Sequence, residues 1–229
     1  MKDISLIAFD ADDTLWECQT YFEAVEKEYC ELLKSYASAN EISKALFAVE
    51  TANMPLLGYG SKAFLLSLLE NAIEVSGGRL KADEVEKIIK LGKELLQLPG
   101  KPMDGVEETL KVLRETGKYH LVVFTKGELL DQENKFHRSG LKPYFDDIIV
   151  VSDKTEASYY QLCERFSINV EQLLMVGNSF RSDIEPVLKL GGWAAHIPFH
   201  TTWQHEVVEE YEDPHLFKLV FFTQLKQVL

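Results

Sequence analysis

Residues 4–16 read ISLIAFDADDTLW, and this stretch decides the fold. From Ile4 to Phe9 every residue except Ser5 is apolar, the composition of a short strand buried on both faces. The run stops abruptly at Asp10, Asp12 and Asp13, with Thr14 next. Carboxylates gathered at a buried strand end are costly without compensation, so a metal or a basic side chain is expected beside them. The carboxyl end of a strand is also where open α/β sheets place their ligands. Taken alone, the same residues also suit an acidic turn capping a helix at Thr14.

Working outward, the pattern turns helical after Trp16. Apolar residues spaced by three and four predict helices over 17–38, 41–52, 62–75 and 82–96, with no strand between them. The run Leu98-Pro99-Gly100-Lys101-Pro102 reads as a return linker. A helix over 104–115 follows, with Asp104 as N-cap, Glu107 completing a capping box and Gly117 as the stop. Further strands are expected over 120–124, 147–151, 173–176 and 193–197, separated by helices over 128–138, 155–166 and 183–190. A last helix is expected around 213–227, packed at the sheet edge. The alternation implies an α/β fold with a doubly wound parallel sheet. Its core comprises residues 1–16 and 99–229, and residues 17–98 form an inserted helical bundle.

Composition narrows the function. The chain has 229 residues, 46% of them apolar and 27% charged, enough for one substantial core with an insert. A formal net charge of -13 argues against nucleic acid and against an anionic membrane as partners. Cys18, Cys30 and Cys163 lack metal-ligand spacing and read as reduced thiols in a cytoplasmic protein. No apolar run reaches the roughly 20 residues a membrane span needs, and residues 1–3 carry no signal-peptide pattern.

The apolar strand followed by Asp10-Ala11-Asp12-Asp13-Thr14 resembles the first motif of the haloacid dehalogenase-like hydrolases, and most closely their phosphatase members. The resemblance implies a Rossmann-like parallel sheet under an α-helical cap. It also implies that Asp10 is a nucleophile forming an aspartyl-phosphate and that Asp12 is the general acid and base. Attack by a carboxylate on phosphorus requires the phosphate charge to be neutralised, hence Mg²⁺; the leaving oxygen needs a proton, hence a second carboxyl. Asp13 departs from the family, where Gly is commoner.

Three further strand ends extend the likeness. Thr125, in VVFTKG, matches a second motif whose hydroxyl and backbone N–H bind phosphoryl oxygens, with Gly127 allowing close approach. Lys154 matches a third, a lysine pairing with the nucleophile and the transferring group, and Lys126 is the runner-up for that role. The run Gly177-Asn178-Ser179-Phe180-Arg181-Ser182-Asp183 matches a fourth, with Asn178 in place of the usual Asp. Metal coordination is then assigned to Asp10, the Asp12 carbonyl and Asn178 or Asp183; Asp183 also suits a helix N-cap.

In the insert, the glycines around Tyr59 point to Tyr59 and Lys62 as groups that contact a small phosphorylated metabolite. Trp16 is placed at a hinge or in the core. His196, His200 and His205 do not have the spacing of a zinc site. A dehalogenase is disfavoured by Asp12. A phospho-accepting receiver domain would need its nucleophile on strand three, where only Asp153 stands, and would leave the insert without a role. A relative that binds phosphometabolites without hydrolysing them is motivated by Asn178. The particular phosphate ester and the oligomeric state are left open.

Overall fold

The computed structural model describes residues 3–229. The chain divides into two compact units, one running to Gln19 and resuming over Pro99–Leu229, the other Thr20–Leu98.

The first unit is an α/β sandwich. Its six strands are β1 (Leu6–Phe9), β2 (His120–Lys126), β3 (Asp147–Val151), β4 (Leu173–Gly177), β5 (Trp193–His196) and β6 (Leu216–Lys218). All pairings are parallel, in the order β3-β2-β1-β4-β5-β6. The strand order reverses at β1, so a crevice opens between the ends of β1 and β4, where such sheets bind ligands. Alternate residues face opposite layers, as the pleat requires. Ile7, Phe9, Val123 and Val176 join one core with Leu110, Phe136 and Phe222. Leu6, Ala8, Phe124 and Met175 join the other with Tyr159, Phe180 and Ile184.

The second unit holds α1 (Gln19–Leu32, whose first residue lies in the other unit), α2 (Ala39–Leu57), α3 (Ser61–Val75) and α4 (Ala82–Leu95). Ser38 and Glu41 close a capping box at the start of α2, satisfying N–H groups that the first turn leaves unpaired. Val25, Tyr29, Ile42, Leu46, Phe64, Leu68 and Ile88 make up much of its interior. Among the described residues no helix is long and apolar enough to cross a membrane.

The remaining helices are α5 (Val106–Thr116), α6 (Leu129–Ser139), α7 (Glu156–Arg165), α8 (Glu185–Lys189) and α9 (Leu225–Val228). Two expectations are corrected here. Asp104 does not cap α5; Gly105 occupies the N-cap with φ 79° and no side-chain cap bond is made. A Cβ at Gly105 would stand 2.6 Å from Thr223 Cγ2, so the C-terminal segment packs against the backbone where a capping side chain would lie. The helix expected over 213–227 is mostly not a helix. Leu216–Lys218 extends the sheet as β6, and only Leu225–Val228 is α-helical. Trp193 stacks on His215 and Phe217, and Phe222 stacks on Phe9, so aromatic packing at the sheet edge overrides local helical spacing.

Candidate active site

Backbone pairing sets the site before any side chain does. The Asp10 N–H donates to Val176 O at 2.9 Å, which carries the β1–β4 pairing one residue past the end of β1. The turn that follows is tight, and Asp13 takes φ 63°, a conformation a side chain tolerates poorly. Its carboxylate accepts from Cys18 N at 2.8 Å and Gln19 N at 3.0 Å, satisfying backbone donors at the start of α1. Burial pushes this carboxyl up to about 7. Asp13 is thus a brace for the chain leaving the site, the role its sequence position did not reveal.

Lys154, just beyond β3, reaches across to the end of β1. Its ammonium lies 2.5 Å from Asp10 Oδ1 and 2.6 Å from Asp183 Oδ1, with the side chain 1% exposed. Burial works against this charge, but Asp10 and Asp183 outweigh it and hold the lysine protonated. One cation shared by two carboxylates leaves a net negative cluster. Asp10 is accordingly raised to about 7, by burial first and by Asp183 as well, with Lys154 opposing; Asp183 is also raised, chiefly by burial.

Asp183 reaches inward because the chain after β4 forms a π-helical turn, Phe180–Ile184, in place of the α-helical start expected at 183. Ser179 caps this turn, and Asp183 Oδ2 accepts from Ser179 N at 3.0 Å, so Asp183 is not an N-cap. A Cβ at Gly177 would lie 2.2 Å from Asp183 Oδ2; only glycine leaves room for the carboxylate there.

Thr14 links the two sides of the crevice. Its hydroxyl lies 3.0 Å from Asp10 Oδ2 and 3.1 Å from Asn178 Oδ1, and it accepts from Asn178 N at 3.1 Å. Asp10 and Asn178 thereby present hard oxygen donors within one hydrogen bond of the same hydroxyl. That donor chemistry fits Mg²⁺, which binds through one or two protein oxygens and otherwise keeps water and phosphate. Among the described residues no three His, Cys, Asp or Glu side chains form a metal cage. His196 instead places Nε2 3.0 Å from Asn178 O, at the back of the turn.

The second carboxylate, Asp12, is held by Trp16 and by two residues, Gln132 and Lys135, that sequence reasoning missed. Lys135 Nζ lies 2.8 and 2.7 Å from its two oxygens, Gln132 Nε2 donates to Oδ2 at 2.8 Å, and Trp16 Nε1 donates to Oδ1 at 2.8 Å. Burial opposes ionisation of Asp12, yet the Lys135 charge and these three donors win, and its carboxyl is lowered. The available signal was spacing: Gln132 and Lys135 fall on the face of α6 that also carries Phe136 and Ser139.

Thr125 is buried at the end of β2, two residues past the last β1–β2 pair. Gly127 follows with φ 141°. Lys126 turns elsewhere: its ammonium donates to Ser182 Oγ at 2.9 Å, pairs with Glu206 and faces the Trp203 ring. Lys154, not Lys126, therefore meets Asp10. Tyr59 and Lys62 belong to the helical unit, on the loop before α3 and in its first turn.

The chain has known relatives in both sequence and fold. Residues 4–191 match the model of the haloacid dehalogenase-like hydrolases. A haloacid dehalogenase-like family hydrolase from Xanthomonas campestris is similar in structure, with a TM-score of 0.89 and 34% identity over 99% of this chain and 90% of that one. Haloacetate dehalogenase H-2 of Moraxella sp. (strain B) is 27% identical over 185 residues, 78% of this chain and 79% of that protein. A structure described as that of a predicted phosphoglycolate phosphatase from Haemophilus somnus 129PT shares the fold, with a TM-score of 0.64 and 19% identity over 100% of this chain and 99% of that one. With a family match over residues 4–191, most of its length, this chain belongs to the haloacid dehalogenase-like hydrolases.

Proposed function

We propose that the protein is a Mg²⁺-dependent phosphomonoester hydrolase acting on a small phosphorylated metabolite through an aspartyl-phosphate at Asp10. The observation that carries this reading is Lys154 Nζ held against both Asp10 and Asp183 at buried strand ends, with a second carboxyl, Asp12, two residues from the first. An Asp10 oxygen attacks phosphorus, the P–O bond to the leaving group breaks, and Asp12, after taking up a proton from solvent, hands that proton to the leaving oxygen. Water then attacks the phosphorus of the acyl phosphate, Asp12 takes the proton, and phosphate leaves. Lys154 offsets charge on the transferring group, and Thr125 with the neighbouring backbone is assigned its remaining oxygens, Gly127 allowing close approach. When bound, Mg²⁺ at Asp10, the Asp12 carbonyl and Asn178 or Asp183 would neutralise phosphate charge that this acidic protein does not offset globally. In this reading the helical unit acts as a cap whose Tyr59 and Lys62 contact the leaving group, nucleic acid and membranes are not partners, and the location is cytoplasmic, where the free thiols Cys18, Cys30 and Cys163 stay reduced.

A second reading is favoured by one observation. Both oxygens of Asp12 are engaged by donors and held ionised, and a halide leaves without a proton, so hydrolytic dehalogenation by the same Asp10 suits the site as well. One experiment separates the two. Under the first, the protein turns over an aryl phosphate many times and loses at least about 100-fold in rate when divalent metal is stripped, recovering with Mg²⁺. Halide release from a haloacetate, with no phosphate release and no effect of chelator, would replace that reading with the second.

A further inference from the structure

Asp10 and Asp12 are two residues apart but are held by separate machinery. Asp10 answers to Lys154 and Thr14. Asp12 answers to α6, the helix after β2, and to Trp16. Lys135 is buried to 3% side-chain exposure, a placement that costs solvation and rotamer freedom. Besides the two Asp12 oxygens, its ammonium lies 3.9 Å from Asp131 Oδ2 and 3.9 Å from Cys18 Sγ.

Gln132 shows a similar cost. Its Nε2 donates to Asp12 Oδ2 and to Lys126 O at 3.1 Å, while its buried Oε1 has no hydrogen-bond partner among the described residues. An amide buried with its oxygen unsatisfied is unfavourable, and here the opposite end of the amide serves Asp12. Gly127 leaves the space for it, since a Cβ there would stand 2.9 Å from Gln132 Nε2. These residues and Trp16 form a clamp on the orientation of Asp12, and they make none of the contacts that hold Asp10.

Resting on the phosphatase reading, we infer that Lys135, with Gln132, is a positioning residue: it holds Asp12 for the two proton transfers and plays no part in the attack of Asp10. The two steps then respond differently to its loss. With an aryl phosphate the leaving group departs without help, so attack is preserved and only the later hydrolysis of the aspartyl-phosphate suffers. With an alkyl phosphate the first step also needs the aimed proton.

The test is steady-state kinetics of Lys135→Met and Gln132→Leu on p-nitrophenyl phosphate and glycerol phosphate, with thermal melts of each protein. For Lys135→Met on the aryl ester, kcat should fall about 100-fold, within the range for proton-transfer catalysis, while kcat/KM stays within about threefold. On the alkyl ester kcat/KM itself should fall about 100-fold. Gln132→Leu removes no charge and should show the same split in smaller degree, so the test survives if Lys135→Met does not fold. Equal losses of kcat/KM on both esters, or no loss on either, would overturn the proposal while leaving the phosphatase reading intact. Wild-type protein that hydrolyses neither ester would instead overturn the phosphatase reading.

Discussion

Two carboxylate–lysine clusters stand side by side at the carboxyl end of the sheet, and their carboxylates are pushed in opposite directions. Lys154 is divided between Asp10 and Asp183, so burial dominates and Asp10 rises to about 7. Lys135 gives both of its close contacts to Asp12, with Gln132 and Trp16 adding donors, and Asp12 falls. Burial is common to both; the ratio of cations and donors to carboxylates decides the sign. Neighbouring carboxyls driven apart in this way can take different roles in one reaction. In the proposed chemistry, Asp10, in a net negative cluster that a divalent cation would balance, bonds to phosphorus, and Asp12 moves protons.

Asp10→Asn breaks the first cluster most completely. It should lower turnover of any substrate by at least about 10⁴-fold, since no carboxylate remains to attack. Its melting temperature should hold, because the Asn oxygen still accepts from Lys154; residual turnover near wild type would remove Asp10 from the mechanism. Lys154→Met comes next and sharpens the contrast in stability. It leaves Asp10 and Asp183 facing each other without their cation, a loss of about 3–5 kcal/mol by denaturant unfolding, and it should exceed the cost of Lys135→Met, which strips mainly Asp12. Equal costs would mean that sharing one lysine between two carboxylates is not what separates the clusters.

The smallest effect lies in the helical unit, where a third carboxyl shows the other extreme. Glu50 is raised to about 7 by burial and by the charge of Glu26, another carboxylate. The folded form therefore binds a proton that the unfolded chain, near 4.5, has already released. The Glu50 contribution to stability should fall as pH rises from 4.5 through about 7, by about 3 kcal/mol in all, and Glu50→Gln should remove that part of the slope. Unfolding titrations of both proteins at pH 5 and pH 8 measure it; parallel curves would show that the Glu50 carboxyl titrates alike folded and unfolded.

Much of the α/β unit was legible because its signals are local. The apolar run before Asp10, the strands that carry Thr125 and Gly177 near their ends, and Gly117 closing α5 follow from burial and backbone conformation along a few residues. Where neighbours distant in sequence decide, reading along the chain went astray. Asp104 was available as a cap, but Thr223 packs against Gly105. The apolar residues over 213–227 suit a helix in isolation, but β5 offers an open edge and Trp193 a stacking surface.

The same division holds in the site. Residues 10–14 carry in themselves the need for a cation at a strand end, and the order of strands and helices dictates a doubly wound sheet with its crevice beside β1. Which lysine answers which carboxylate was settled only by folding. Lys126 is as near the sheet in sequence as Lys154, yet it is drawn away by Glu206 and Ser182, and Lys135 reads as one more charged residue on an amphipathic helix. Hydrophobic periodicity is written along the chain; the pairing of buried charges depends on distances across it, and these exist only once the sheet has formed.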